Sequence, residues 1–114
     1  MAEFSEQRIG RAFIVRVAGE LDEAAAAAFR ERVDQALEQG GVRDLIVVMK
    51  EVSFIDSSGL GVLLGRYKRI RELGGQMGIV APPRSVRALL ELSGVPKLIP
   101  IYRSERQALG ANAG

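Results

Sequence analysis

The run Leu45-Ile-Val-Val-Met49 constrains the fold more than any other stretch, because it sets five apolar residues in a row with no polar alternation. A strand with one wet face alternates apolar and polar positions. An unbroken run is buried on both faces, as in the middle of a parallel sheet. Parallel neighbours cannot be joined by a tight hairpin; each pair needs a crossover, usually a helix. The sequence on either side supplies strands and crossovers in the required order.

Upstream, Ala12-Phe-Ile-Val-Arg-Val-Ala18 is rich in β-branched residues and stops at Gly19, which predicts a strand. Phe4 to Arg8 predicts a shorter one, joined to it through the turn Arg8-Ile-Gly-Arg11 as an antiparallel hairpin. From Asp22 the period changes. Ala25, Ala26, Phe29, Val33, Ala36 and Leu37 recur at helical spacing, with Arg30, Glu31, Asp34 and Glu38 between them. Asp22 fits the N-cap, Glu23 the first turn, and Gly40-Gly41 the stop.

Downstream, Phe54-Ile55 leads into Asp56-Ser-Ser-Gly-Leu-Gly61 and a second helix with Leu60, Leu63, Leu64, Tyr67 and Ile70 on one stripe, ending at Gly74-Gly75. Met77 to Ala81 is the next strand. Pro82-Pro83 opens a third helix with Val86, Leu89 and Leu90 inward, ending at Ser93-Gly94. Leu98 to Tyr102 predicts a last strand, placed at an edge because Pro100 has no N–H for a ladder bond. Ser104-Glu-Arg-Gln107 has the capping-box pattern of a short final helix. The expectation is one α/β domain over residues 1–110, with a frayed tail at 111–114. Its sheet is mixed and mainly parallel, with an N-terminal antiparallel hairpin and about four helices joined by right-handed crossovers.

Composition narrows the chemistry. The 114 residues include no cysteine and no histidine. Disulfides, Cys/His zinc sites and Ser-His or Cys-His nucleophile pairs are therefore excluded. Aromatics are 5% of the chain, so the core is aliphatic. The net charge of +2 is unevenly spread: Met1 to Asp56 holds 7 basic against 11 acidic residues, and Ser57 to Gly114 holds 9 against 3. The basic half suits an anionic partner, or simply has solvated helix faces. A nucleic-acid reading finds no known motif and few stacking residues. No apolar run approaches the ~20 residues of a membrane helix, and the charged N-terminus lacks a signal-peptide core, so a cytoplasmic protein is expected.

Asp56-Ser57-Ser58-Gly59-Leu60-Gly61 lies where a helix begins. The first N–H groups of a helix lack partners and its dipole favours negative charge. Asp56, Ser57 and Ser58 read as ordinary cap residues with glycines giving backbone relief, as a nucleotide loop, or as a regulated serine. The dinucleotide pattern G-x-G-x-x-G would need glycine where Leu64 stands, and the Walker Gly-Lys-Ser/Thr is absent. At 100° per residue Ser58, Val62, Gly65 and Arg69 fall on one line, with Gly61 beside it. This face lies opposite Leu60, Leu64 and Tyr67 and carries few long side chains. It fits either a docking face or close packing within the domain.

Phe54-Ile-Asp-Ser-Ser-Gly-Leu-Gly-Val-Leu-Leu-Gly-Arg-Tyr-Lys68 closely resembles the anti-sigma factor antagonists of the STAS-domain family, in particular the stage II sporulation AA type. Gly19-Glu-Leu-Asp22, Gly74-Gly75 and the third helix also fit, so the resemblance spans nearly the whole chain. It implies a single STAS domain that is not an enzyme and needs no cofactor or metal. The partners it implies are an anti-sigma factor with serine kinase activity and a PP2C-type phosphatase, with no direct nucleic acid and no membrane. The unphosphorylated form would hold the anti-sigma factor and free the sigma factor. Phosphorylation of the second motif serine, here Ser58 (Ser57 being the runner-up), would weaken the complex. Asp56 matches the preceding acidic position, and Arg66 and Lys68 match residues of similar form. Gly59, Gly61, Val62 and Gly65 complete the motif face, while Arg69 and Asp22 are expected at its borders. Two alternatives stay open: a STAS module in a stress-signalling scaffold, and a nucleotide-binding regulatory domain. A start almost at the first strand argues against the scaffold.

Overall fold

The computed structural model describes residues 2–113. Five strands form one sheet in the order β1-β2-β3-β4-β5: β1 Ala2–Ile9, β2 Ala12–Leu21, β3 Asp44–Ile55, β4 Met77–Val80 and β5 Ile101–Tyr102. β1 pairs with β2 antiparallel, and every later pairing is parallel. Four helices connect or follow the strands: α1 Glu23–Gln39, α2 Ser57–Glu72, α3 Arg84–Leu92 and α4 Glu105–Ala113. The parallel centre is the arrangement the apolar run demanded, and the antiparallel hairpin stands before it as expected. Its residues Leu45 to Met49 are all buried, with β2 on one side and β4 on the other.

Alternate positions on the strands feed two cores. Phe13, Val15, Val17, Leu45, Val47 and Ile79 pack with Phe29 and Val33 of α1, Leu63 and Ile70 of α2, and Val86 and Leu90 of α3. On the other face Ala12, Ile14, Ile46, Val48 and Val80 lie with Ala108 of α4. Arg16 fixes α4 to the sheet by donating from Nε and Nη2 to the Glu105 carboxylate at 2.8 and 2.6 Å. That pair of bonds holds the Glu105 carboxyl below its ordinary range. The buried Asp44 accepts from the Gln76 N–H at 2.9 Å and from Arg11 Nε at 3.3 Å, which ties the start of β3 to the entrance of β4.

The structure corrects several local expectations. β3 does not stop at Met49. It runs on past Lys50 and Glu51, pairs its end with Glu20 and Leu21 beyond two register shifts in β2, and buries Val52 and Ile55. Leu89 is 40% exposed rather than inward, because α3 meets the core through Val86 and Leu90, four residues apart on one line. On α2 only Leu63 and Ile70 of the expected stripe are fully buried; Leu60, Leu64 and Tyr67 are partly covered. The last strand is two residues long. Val95–Lys97 form a single 3-10 turn, and Ile99 drops into the core before Pro100. β5 is nevertheless the sheet edge, as expected, with Pro100 standing just before it rather than within it. At the C-terminus, where a frayed tail over 111–114 is expected, residues 111–113 belong to α4 and Gly114 lies outside the described residues.

One consequence of this topology positions the site. Leu21 and Ile55, the last residues of β2 and β3, are register partners in a parallel pair. α1 and α2 therefore both start at the same end of the sheet, side by side. The carboxyl ends of parallel strands are where open α/β sheets place their functional residues.

Candidate functional site

Each of the two helices begins on an aspartate in extended conformation. Asp22 Oδ1 accepts from the Ala25 N–H, and Asp56 Oδ1 accepts from the Gly59 N–H, both at 3.0 Å. Each cap satisfies one of the N–H groups that a helix leaves unpaired at its start. Asp56 also gives its backbone carbonyl to the Leu60 N–H at 3.0 Å, so the first turn of α2 is closed from its first residue.

Gly59 explains how α2 comes to lie where it does. A Cβ at this position would stand 2.4 Å from the Leu21 carbonyl oxygen and 2.7 Å from Ile55 Cγ1. Only a residue without a side chain lets the first turn of α2 press against the end of β2. Gly59 is buried and faces inward, so its role is to seat the turn, which rotates Ser58 outward. Ser57 is exposed at the helix start, and Ser58 is half-buried.

Ser58, Gly61, Val62 and Gly65 form one wall of a shallow groove, and Ala26, Ala27 and Arg30 of α1 form the other. A Cβ at Gly61 or Gly65 would meet nothing within 4 Å, so neither glycine serves close packing inside the domain. Of the two readings of the helical projection, close packing within the domain does not fit these glycines. The glycines leave a low surface beside Ser58.

Arg66 closes the far end of the groove, but it is turned into the protein. Its side chain is 11% exposed and Nη1 donates to Asp34 of α1, while Nε is buried without a hydrogen-bond partner among the described residues. Arg66 thus joins α1 to α2. Arg69 lies beyond it, exposed and within 3.9 Å of Glu72. Asp22 and Asp56 border a second shallow depression together with Glu23, Ala24 and Ala27. The structure therefore gathers Ser58, Gly61, Val62 and Gly65 on one surface, with Asp22 and Asp56 at its upper end. It gives Gly59 and Arg66 internal partners instead. Reading the sequence missed the opposite wall, Ala26, Ala27 and Arg30; the low-complexity run Ala24 to Ala28 is its trace.

Residues 3–108 match the model of the STAS domain, and the chain belongs to that family. It is 44% identical over 98 residues to the anti-sigma F factor antagonist of Paenibacillus polymyxa, covering 84% of this chain and 82% of that one. It is 34% identical over 87 residues to the anti-sigma-B factor antagonist of Bacillus subtilis, covering 76% and 78%. The structure of the anti-sigma factor antagonist SpoIIAA in its unphosphorylated form superposes with a TM-score of 0.84 at 30% identity, covering 94% of this chain and 93% of that one. The phosphorylated form of SpoIIAA gives a TM-score of 0.77 at 27% identity, with coverage of 96% and 98%.

Proposed function

We propose that this protein is an anti-sigma factor antagonist of the cytoplasm, switched by phosphate on Ser58. The observation that carries the reading is the presentation of Ser58. It stands half-buried in the first turn of α2 on a wall otherwise made of Gly61, Val62 and Gly65. Likeness to antagonists over most of their length supports the same reading.

Unmodified, this low surface packs against an anti-sigma factor that is also a serine kinase, and the sigma factor is released. The kinase then directs the Ser58 hydroxyl oxygen onto the γ-phosphorus of ATP. The new O–P bond forms as the bond to ADP breaks, and the hydroxyl proton leaves to the kinase's base. A PP2C-type phosphatase restores the serine by hydrolysis, releasing inorganic phosphate. The chain contributes the acceptor and its geometry, with no catalytic residue of its own.

The phosphate adds about −1.5 to −2 charges. The α2 N-terminus favours that charge locally, so the domain keeps its fold. In the complex the same charge must lose its water or face whatever lies opposite, and the cost falls on binding. About 1.4 kcal/mol is a factor of ten in affinity.

Incubation with the cognate kinase and ATP, followed by peptide mass spectrometry, is expected to place one phosphate on Ser58. Phosphate on Ser57 with Ser58 unmodified would overturn the assignment. Ser58→Ala should bind the anti-sigma factor but resist release by ATP. Ser58→Asp should bind at least about tenfold more weakly, the 1.4 kcal/mol scale above.

A further inference from the structure

We infer that Arg30 of α1 receives the phosphate on Ser58, closing the groove from its opposite wall. This inference rests on the reading of Ser58 as the switch and assigns that switch its second half.

Three observations support it. Arg30 lines the same groove as Ser58, on the facing helix. Helical side chains lean toward the N-terminus of their helix. In the structure Arg30 reaches forward to Asp34 instead. Because α1 and α2 start side by side, turning back along that lean would carry it toward the level of Ala26, Ala27 and Ser58. Second, Arg30 is loosely held. Its side chain is 66% exposed, and its ion pair to Asp34 spans 3.6 Å. Third, Asp34 does not need it. Arg66 donates to the other carboxylate oxygen and is largely buried against it. Arg30 can therefore leave Asp34 without stranding a carboxylate.

At the far end of the groove Glu38 and Arg69 lie beyond Arg66, and at its upper end stand Asp22, Glu23 and Asp56, all acidic. These last three repel a phosphate and leave Arg30 as the cation lining the groove that is free to turn. Arginine suits the task, since its planar fork matches two phosphate oxygens at once. With the pair formed, guanidinium and phosphate lie across Gly61 and Val62. The low surface is then filled as well as charged, and a partner must displace an ion pair to regain it.

The test uses the full chain with phosphoserine installed at position 58 during synthesis, so that no kinase is needed. The second ionisation of the phosphate, normally near pH 6, is followed by phosphorus NMR. It is expected about half a pH unit lower in the otherwise unchanged protein than in Arg30→Gln, about a threefold change in proton affinity. Arg30→Lys, which keeps the charge, should recover most of that difference. Equal titrations with and without Arg30, or a lysine variant that titrates like the glutamine one, would overturn the role of Arg30. A merely structural role would leave the ionisation where it was. Failure of the kinase to modify Ser58 would instead defeat the proposed function and leave this titration intact.

Discussion

The starts of α1 and α2 are built from the same parts and end in different states. Both follow parallel strands whose last residues, Leu21 and Ile55, are register partners. Their caps have nearly the same backbone, φ −93° and ψ −169° at Asp22 against φ −112° and ψ −171° at Asp56, and both accept at 3.0 Å from the third residue of the helix. Beyond the cap they diverge. α1 has an acidic residue in its first turn, Glu23, and an alanine as the capped donor; α2 has no acid in its first turn, and its donor is a glycine seated against Leu21. Negative charge near a helix start is favourable. α1 carries it permanently, while α2 sets two hydroxyls there, where the proposed phosphorylation would add it. On that proposal two equivalent helix ends become a fixed one and a conditional one, through a few residues.

The largest expected effect breaks the seat of α2. Gly59→Ala places a methyl 2.4 Å from a backbone oxygen. Overpacking ordinarily costs about 1–3 kcal/mol, occasionally more. Here the obstacle is backbone, which cannot rotate away, so a loss of about 3 kcal/mol is expected in urea unfolding, read as a lower midpoint with unchanged slope. The matching change in α1, Ala25→Gly, should cost about 1–2 kcal/mol, from helix propensity and one lost methyl. A Gly59→Ala cost below 1 kcal/mol would show that the two starts are not distinguished by close approach.

Next in size come the caps. Asp22→Ala and Asp56→Ala should each cost about 1 kcal/mol, and nearly the same amount, because the two bonds have equal length and similar geometry. The comparison sharpens when stability and modification are measured together. Asp56→Ala loosens the turn that carries Ser58 and should slow its phosphorylation severalfold, whereas Asp22→Ala should leave that rate close to the original. Equal slowing by both would mean that the kinase reads the whole acidic end rather than the α2 turn.

How far the sequence discloses this depends on the range of the interactions. The buried centre of the sheet, the crossovers and both caps follow from local pattern: an apolar run, a change of period, an aspartate before a helix. The second half of β3 does not, because Lys50 and Glu51 interrupt the apolar signal and the strand continues only through pairing with Ala18 to Leu21. Leu98 and Ile99 look like a strand by composition, yet the 3-10 turn at Val95–Lys97 commits them elsewhere. The site divides in the same way. Ser58, Gly61, Val62 and Gly65 fall on one face by helical arithmetic alone. Arg66 reads as part of a basic surface until Asp34, 32 residues away, turns it inward. The opposite wall of the groove becomes visible only once β2 and β3 are known to end as neighbours, since that adjacency decides which face of α1 meets α2.

The smallest expected effect is the most informative about α2, because stability and binding should move in opposite directions. Gly61 is exposed, in the helix interior, and beyond its neighbours in its own helix backbone nothing lies within 4 Å of a would-be Cβ. Glycine there costs about 1 kcal/mol relative to alanine, since it gives up backbone freedom and gains no contact. On folding grounds Gly61→Ala should therefore stabilise the domain, by about 0.5–1 kcal/mol in urea unfolding. If the groove is a docking surface, the same methyl stands in the way of the partner, and the unphosphorylated protein should bind its anti-sigma factor severalfold more weakly. Gly61→Gln, still a good helix former but longer, should weaken binding further with little added change in stability. Opposite shifts of this kind would show that the glycine gives up stability to leave the position open to a partner. Stabilisation with undiminished binding would place the partner on another face and leave the glycine at position 61 without a function.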